Sequence, residues 1–338
     1  MPTVFSLPRR RLKGTDIDLP VLGFGASTLG NLYRAMPDAE ALGVLRHALD
    51  LGMSYLDTAP HYGHGLSERR IGMMAPKAVL STKIGRVLKP IAPQPAGTER
   101  HGFVDADPYE PVFDYGYDGV MYSFAESCRR LGRERVDILF AHDLGTLTHG
   151  ADHAAHLKAF LAGGYRALTE LKAAGRVGAI GLGVNEWQVC EEVLAHVDLD
   201  VVLLAGRYTL LEQGALDSFL PLCERRGVGL IIGGPFNSGV LADRDRYDYQ
   251  SVPAAVANRV AALKAVCQAH GVPITAAALQ FTLGHPNVTS VVSGMASKRE
   301  VEGNLAHLMH PIPGTFWDDL KSRGLLHAGA PTPEHLHA

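Results

Sequence analysis

The chain has 338 residues, of which 46% are hydrophobic, and it carries a formal net charge of −3 at pH 7. This length fits two domains of ordinary size or one large α/β barrel with extensions, and the hydrophobic fraction is enough for a sizeable core. The small net charge gives no reason to expect nucleic acid or a membrane surface as a partner.

The cysteines and the N-terminal residues indicate the compartment. The four cysteines are scattered without a C-x-x-C pair, which predicts free thiols in a reducing compartment and no disulfide framework. The first residues lack the apolar run of a secretory signal, and no apolar run approaches the length of a membrane span. We therefore expect a soluble cytoplasmic protein, while the sequence carries no sign of its oligomeric state.

Apolar runs and breaker residues predict an alternation of strands and helices. Two short strand-like pieces near Arg11 and Asp18 come first. Eight apolar strands are then predicted at 21–25, 55–59, 79–84, 136–142, 179–184, 201–204, 229–232 and 290–293. Helices are predicted among them at 39–51, 67–73, 120–131, 153–174, 187–196, 215–226, 254–269, 276–283 and 297–308.

The strands are continuous apolar runs, which is typical of strands buried on both faces of a parallel sheet. Eight such units over roughly 300 residues fit a closed (β/α)8 TIM barrel better than an open sheet. We expect a single α/β barrel domain over residues 1–338, with an N-terminal strand extension and a long loop at 86–117 after the third strand. The tail at 311–338 is expected to be an irregular extension over the top of the barrel.

Four side chains with related chemistry follow three successive strands. Asp57 lies at the end of the second strand, Tyr62 in the loop after it, Lys83 at the end of the third and His142 at the end of the fourth. Because the C-terminal ends of barrel strands meet on one face, these residues can form one site. Taken singly, the Asp reads as a helix cap, the Tyr and His as core residues, and the Lys as a solvated side chain or Schiff-base nucleophile. Their joint placement favours a proton-transfer site.

Hydride transfer between an alcohol and a nicotinamide ring needs a group that exchanges the hydroxyl proton. The ordinary pKa of tyrosine, about 10, is too high for efficient base catalysis near neutrality, and a neighbouring ammonium lowers it. We therefore assign Tyr62 as general acid/base and Lys83 and Asp57 as the groups that tune it. His142 is assigned as the hydrogen-bond donor to the substrate oxygen.

Motifs along the chain resemble those of the aldo-keto reductase superfamily. They are L-G-F-G-A at 22–26, L-D-T-A-P-H-Y-G at 56–63, S-T-K at 81–83, R-V-D-I at 135–138 leading to His142, Asn185, G-P-F-N-S-G at 234–239 and the segment 294–304. The resemblance implies a (β/α)8 barrel that binds an extended nicotinamide dinucleotide without a Rossmann fold. Within the superfamily, the motifs look like the branch of D-threo-aldose (L-fucose) 1-dehydrogenases, L-galactose dehydrogenase and pyridoxal 4-dehydrogenase. That branch implies NAD-linked oxidation of a sugar C1 hydroxyl to a lactone.

The resemblance also implies roles for individual residues. Asp57, Tyr62, Lys83 and His142 match the catalytic tetrad of the family. Asn185 matches the position that holds the nicotinamide carboxamide, 234–238 the loop that crosses the pyrophosphate, and 294–304 the segment around the adenosine. The expected cofactor-binding residues are Gly25, Ala26, Ser27, Asp57, Asn185, Tyr208, Gly234, Pro235, Phe236, Asn237, Ser238, Gly294, Met295, Ser297, Glu300 and Asn304.

Three positions depart from the family pattern. Glu300 stands where NADP-preferring reductases often have an arginine, and a carboxylate repels a 2′-phosphate while it can accept from a free 2′-hydroxyl. NAD is therefore the expected cofactor, although Arg299 and Lys298 beside it leave NADP open. Gly233 replaces an aromatic residue that often stacks on the nicotinamide, and Gly303 replaces a glutamate near the adenine.

Aromatic and histidine side chains are expected to surround a small-molecule substrate. The expected substrate contacts are His61, Tyr62, His142, Phe113 and Tyr115, the last two from the long loop that also carries Phe103 and Tyr109. Aromatic walls with polar rims suit a hydroxylated sugar ring, and they suit pyridoxal too.

Other interpretations of the same residues carry less support. His149, His153 and His156 have helical spacing only in part and no completing ligands, so no metal site is expected. A barrel that binds NAD(P) as a sensing subunit with little turnover is a rival of another class. A Schiff-base aldolase built on Lys83 is a further rival, which leaves Asp57 and Tyr62 without an obvious role.

Overall fold

The computed structural model describes residues 7–74, 77–248 and 250–333. Its strands are β1 (Arg9–Arg11), β2 (Asp18–Pro20), β3 (Leu22–Gly25), β4 (Tyr55–Asp57), β5 (Val79–Ile84), β6 (Arg86–Pro90), β7 (Glu99–Arg100), β8 (Phe103–Val104), β9 (Tyr109–Phe113), β10 (Val136–His142), β11 (Val177–Val184), β12 (Val201–Ala205), β13 (Gly229–Gly233) and β14 (Val288–Gly294). Its α-helices are α1 (Asp38–Asp50), α2 (Leu66–Met74), α3 (Tyr117–Leu131), α4 (Thr146–His149), α5 (His153–Ala159), α6 (Tyr165–Ala173), α7 (Gln188–Leu194), α8 (Phe219–Arg226), α9 (Ala254–His270), α10 (Ile274–Leu283), α11 (Lys298–Leu308) and α12 (Gly314–Ser322).

Eight of these strands close into one parallel barrel. Their order around it is β3, β4, β5, β10, β11, β12, β13 and β14, with β14 pairing back onto β3. Each of the eight apolar runs in the sequence supplies one of these strands, and helices separate them along the chain. The (β/α)8 fold class expected from the alternation is confirmed.

The barrel interior is filled by side chains rather than open. Tyr55, Phe140 and Ile231 belong to one cluster of buried apolar residues inside it. Leu12 and Leu19, on and beside the β1–β2 hairpin, join that cluster and are 0% exposed. The N-terminal extension therefore packs into the barrel and contributes to its core.

The segment 86–117 is more regular than the loop expected from the sequence. β6 and β9 form an antiparallel ribbon that pairs Arg86 with Phe113, and β7 pairs with β8. Pro90 and Pro111 interrupt the apolar pattern and so conceal these strands. A two-stranded ribbon tolerates proline because each of its strands is an edge.

The C-terminal tail contains a helix where an irregular segment was expected. Phe316, Trp317 and Leu320 form the buried face of α12, and Pro313 precedes its first residue. Spacing of i, i+1 and i+4 places these side chains on one face of a short helix, and a proline is well suited to a helix start. Residues 334–338 of the expected tail lie outside the described residues.

The helix expected at 153–174 is present as three joined pieces. α5 leads into a π-helical turn at 160–164 and then into α6, and Gly175 follows with a φ of 68°. In the described parts of the chain, no helix is both long enough and apolar enough to span a bilayer.

Candidate active site

The C-terminal ends of β4, β5 and β10 aim three ionisable side chains at one region. Asp57 is the register partner of Ser81, and Lys83 is the partner of Phe140. Phe140 points into the barrel, and strand residues two apart share a face. Lys83 pairs with Phe140 and so faces the same way. His142 comes two residues after Phe140 on the same strand, so both side chains lie on the inner side of the barrel at its C-terminal end.

A buried ion pair forms the centre of the site. Lys83 Nζ donates to Asp57 Oδ2 at 2.7 Å, to the Thr58 carbonyl at 2.9 Å and to the Tyr62 hydroxyl at 3.2 Å. Ser81 Oγ donates to the other carboxylate oxygen of Asp57 at 2.7 Å. Lys83 is 1% exposed and Asp57 3%. Since an ammonium has three donors, Lys83 is fully used, and it is fixed between the carboxylate and the phenol.

Tyr62 is a neutral phenol in this arrangement. Burial raises the pKa of Tyr62 well above the ordinary value of 10.0, and the carboxylates of Asp57 and Asp143 raise it further against the opposing effect of Arg86. Because Asp57 contacts Lys83 at 2.7 Å, the ion pair presents little net positive charge to the phenol. The expectation of a lowered tyrosine pKa is wrong for this state. In the protein without cofactor, the phenol therefore keeps its proton.

His142 is a neutral imidazole beside Tyr62. The two ring centroids are 5.9 Å apart with an interplanar angle of 85°. Burial lowers the pKa of His142 well below 6.5, and the charges of Arg86 and Lys83 lower it further, followed by that of His61. A neutral imidazole carries one N–H, which can donate a hydrogen bond to a substrate oxygen.

Two charged residues of the site are missing from the sequence expectations. Arg86 Nη2 lies 2.9 Å from Asp143 Oδ2, and Asn185 Nδ2 donates to Asp143 Oδ1 at 3.1 Å. Arg86 comes three residues after Lys83, and Asp143 directly follows His142. Their position at the strand ends is the signal that could have identified them.

Histidine and aromatic rings surround the phenol on its open side. The His61 ring centroid lies 6.0 Å from that of His142 and 5.3 Å from that of Phe103. Burial, followed by the charges of Arg86, His64, His101 and Lys83, lowers the pKa of His61 to about 2, so the ring is neutral. Its Nδ1 is buried with no hydrogen-bond partner. The structure thus brings the predicted substrate contact His61 to the site.

The two loop aromatics expected to contact substrate differ in position. Phe113 is 36% exposed and lies against the Arg86 guanidinium, 4.9 Å from ring centroid to Cζ. Tyr115 is 1% exposed, and its hydroxyl donates to the His142 carbonyl at 2.6 Å. The expectation that Tyr115 contacts substrate is therefore wrong, because its ring lies buried behind His142 and supports the end of β10.

The start of α11 carries the residues expected around the adenosine. Ser297 Oγ accepts from the Glu300 N–H at 3.2 Å, and Glu300 Oε2 accepts from the Ala296 N–H at 2.6 Å. This reciprocal arrangement resembles a capping box. The other oxygen of Glu300 accepts from Arg244 Nη2 at 2.8 Å. Glu300 therefore has a structural role at this helix start in addition to its charge.

Backbone without side chains follows directly after the ends of β12 and β13. At the strand ends themselves, Ala205 and Gly233 are register partners, and a Cβ at Gly233 would lie 3.1 Å from Leu203 Cδ2 and 3.3 Å from the Ala205 Cβ. Gly206 and Gly234, which follow, have φ angles of 67° and 58°. A Cβ added at Gly234 would meet only the Gly206 nitrogen, at 3.8 Å, so a planar ring can lie against the backbone at this point.

These features fit a nicotinamide dinucleotide. The open backbone at Gly206 and Gly234 and the Asn185 amide would hold the nicotinamide end. Residues 237–239 all have positive φ, and the N–H groups of Asn237 and Gly239 donate within the turn to the carbonyls of Gly234 and Phe236. The amides at the start of α11 offer an anion contact for the pyrophosphate.

The remaining cofactor candidates differ in their orientation. The expectation that Tyr208 contacts the cofactor is wrong, because its ring is 0% exposed and packs on Phe281 and His285. The Asn237 side chain is 2% exposed and bonds inward to Thr209 and Gly206. The other candidates lie on the loops at the ends of β3, β13 and β14 or on α11: Gly25, Ala26, Ser27, Pro235, Phe236, Ser238, Gly294, Met295 and Asn304.

Other histidines and the cysteines form no further site in the residues that the structure describes. No three His, Cys, Asp or Glu side chains converge there in a way that could hold a metal ion. His149 bonds to the Tyr115 hydroxyl at 3.0 Å and packs on His156. All four cysteines are buried and unpaired.

Comparison with known proteins gives consistent relatives. The Aldo/keto reductase family matches residues 21–323. A pyridoxal 4-dehydrogenase of Microbacterium luteolum is 41% identical over 94% of this chain and 98% of its own length. A D-threo-aldose 1-dehydrogenase of a Pseudomonas species is 38% identical over 93% of this chain and 96% of its own.

Solved structures agree on the fold. An aldo-keto reductase from Bacillus halodurans superposes with a TM-score of 0.72 at 23% identity, over 98% of this chain and all of its own. With the family match and the two dehydrogenase relatives, the chain belongs to the aldo/keto reductase family and is an NAD(P)-dependent oxidoreductase that acts on a small molecule.

Proposed function

We propose that this enzyme oxidises the C1 hydroxyl of an aldose, of the L-fucose or D-threo type, to a lactone with NAD as the preferred cofactor. The observation that carries the proposal is the Lys83 ammonium, which bridges Asp57 at 2.7 Å and the Tyr62 hydroxyl at 3.2 Å at the C-terminal end of the barrel. The 38% identical relative named as a D-threo-aldose 1-dehydrogenase supports the substrate class.

The side chains divide the proton chemistry among them. The bound nicotinamide supplies the hydride acceptor. Oxidation requires the phenolate, so Tyr62 first gives its own proton to solvent. The phenolate then takes the hydroxyl proton as the substrate is oxidised, which restores the phenol. His142 donates its single N–H to the same substrate oxygen. Lys83 orients the phenol and stabilises the phenolate while it exists, and Asp57 holds Lys83 in place.

NAD preference follows from the charge at the start of α11. Glu300 presents a carboxylate whose side chain is 35% exposed, where the 2′-phosphate of NADP would add a second anion. Arg244 partly offsets this charge at 2.8 Å but leaves the pair without net positive charge. We also propose that the chain is one barrel domain that acts in the cytoplasm.

Pyridoxal is the second candidate substrate. The 41% identical relative is named as a pyridoxal 4-dehydrogenase. The Phe103 ring stands 5.3 Å from that of His61 and 6.2 Å from that of Tyr62, and it can pack against a planar aromatic ring. Neutral imidazoles such as His61 can pair with the polar edge of either substrate.

A substrate panel tests the proposal. L-Fucose, L-galactose, D-arabinose and pyridoxal are each assayed with NAD and with NADP by the change in nicotinamide absorbance. The proposal expects the highest kcat/KM for one of the sugars with NAD. Faster turnover of pyridoxal would select the second candidate. No turnover with any of them, although NAD(P) binds, would favour a sensing subunit.

A further inference from the structure

Arg86 is a buried charge outside the four residues assigned to proton exchange. It begins β6, directly after Gly85, whose φ of 99° turns the chain at the end of β5. The Arg86 side chain is 9% exposed. A buried guanidinium is costly unless its donors are paired, so its partners indicate what it does.

The two partners of Arg86 are His142 and Asp143. Nη1 lies 3.1 Å from His142 Nδ1, and Nη2 lies 2.9 Å from Asp143 Oδ2. A guanidinium has donors only. The bond to Nδ1 therefore requires a lone pair on that nitrogen, and the proton of the neutral imidazole lies on Nε2.

The same contacts keep the Nε2–H available. His142 Nε2 lies 3.4 Å from Asp143 Oδ2, which is too long for a strong hydrogen bond. Arg86 binds this carboxylate oxygen at 2.9 Å, and Asn185 binds the other at 3.1 Å. Asp143 is thus satisfied without the imidazole proton.

We propose that Arg86 is a positioning residue that fixes the His142 tautomer with its proton on Nε2 and holds the Asp143 carboxylate away from that proton. Arg86 does not touch the reacting atoms and acts through His142. The proposal rests on the proposed function for the role of His142 as donor to the substrate oxygen. The tautomer itself is a property of the protein without substrate.

The surroundings of His142 set what happens when Arg86 is removed. The charged and titratable groups that face the ring are Arg86, Lys83, His61, Tyr62 and Asp143. Without Arg86, the Asp143 carboxylate loses its counter-charge and attracts a proton to the ring. The imidazole then takes a second proton on Nδ1 as the pH falls, and it becomes an imidazolium.

Nitrogen NMR of ¹⁵N-histidine-labelled protein measures the protonation state of each ring nitrogen of His142, without substrate or cofactor. The His142 signals are assigned by their loss in His142→Gln. We expect the wild type to keep Nδ1 unprotonated and Nε2 protonated between about pH 6 and 9, the range in which an ordinary histidine completes its titration. In Arg86→Met we expect Nδ1 to become protonated as the pH falls within that range.

A double variant separates positioning from fold support. Arg86→Met/Asp143→Asn removes both charges, so no carboxylate is left buried and unpaired. If Arg86 positions His142, kcat falls by about 10- to 100-fold in the double variant, below the 10²–10³ typical of a lost oxyanion donor, while KM changes little. Arg86→Lys, which keeps a charged donor, is expected to recover part of kcat.

Three results would overturn the proposal. They are an Nδ1–H tautomer in the wild type, a ring whose protonation in Arg86→Met matches the wild type, and a double variant with wild-type kcat. If Arg86→Met does not fold, the His142 tautomer of the wild type and the kcat of the double variant still test the proposal. An enzyme that oxidises no member of the panel contradicts the proposed function, and the NMR result then decides this proposal alone.

Discussion

Removal of the Lys83 ammonium is expected to destabilise the protein as well as to abolish turnover. The side chains of Lys83 and Asp57 are 2% and 4% exposed, and their charged atoms are 2.7 Å apart. Lys83→Met keeps most of the apolar length but removes the counter-charge of the buried Asp57 carboxylate. Breaking a buried ion pair on one side costs about 3–5 kcal/mol of unfolding free energy.

The matched control removes both charges. Asp57→Asn/Lys83→Met leaves no unpaired charge, so we expect it to regain most of the lost stability while it stays inactive. Urea unfolding followed by circular dichroism compares the midpoints at a common slope. If Lys83→Met unfolds at the wild-type midpoint, or if the double variant is less stable than Lys83→Met, the account of a mutually dependent buried pair is refuted.

Two further predictions concern the phenol and the cofactor. Burial and the neighbouring carboxylates raise the pKa of Tyr62. In the protein without cofactor, the difference in ultraviolet absorbance between wild type and Tyr62→Phe should therefore show no phenolate below about pH 10. Ionisation of Tyr62 near pH 8 would contradict this prediction. Glu300→Arg should raise the ratio of kcat/KM with NADP to that with NAD by at least about tenfold, as expected when one close repulsion becomes an attraction worth about 1.4 kcal/mol or more. Glu300→Gln, which can keep the bond to the Ala296 N–H, is the control and should shift the ratio less; an unchanged ratio in Glu300→Arg would refute the charge argument.

The sequence predicted the barrel well because its strands are buried on both faces. The runs at 179–184 and 201–204 are apolar throughout, and several of the helices between the strands end beside a glycine or begin after a proline. The errors lie where elements are short and half exposed. β6 and β9 contain proline and charged residues, and α12 depends on packing against the rest of the fold, so neither has a strong local signal.

The site was predictable in composition but not in its electrostatics. Asp57, Tyr62, Lys83 and His142 come together as their positions at strand ends predict. The direction of the Tyr62 pKa depends on burial and on Asp143, which only the three-dimensional arrangement reveals. Tyr208 and Tyr115 show the same limit, because a motif places an aromatic residue near a site without telling which way its ring points.

The most direct test of the proton-transfer site is the oxidation rate of Tyr62→Phe with the best substrate of the panel, measured with that substrate carrying hydrogen or deuterium at the oxidised carbon. The wild type should oxidise the deuterated substrate more slowly, as expected for hydride transfer. Tyr62→Phe should lose at least about 100-fold in kcat, the low end of general acid/base catalysis, while nicotinamide binding measured by fluorescence stays unchanged. Near-normal turnover by Tyr62→Phe would contradict the assignment of the phenol as the group that exchanges the substrate proton.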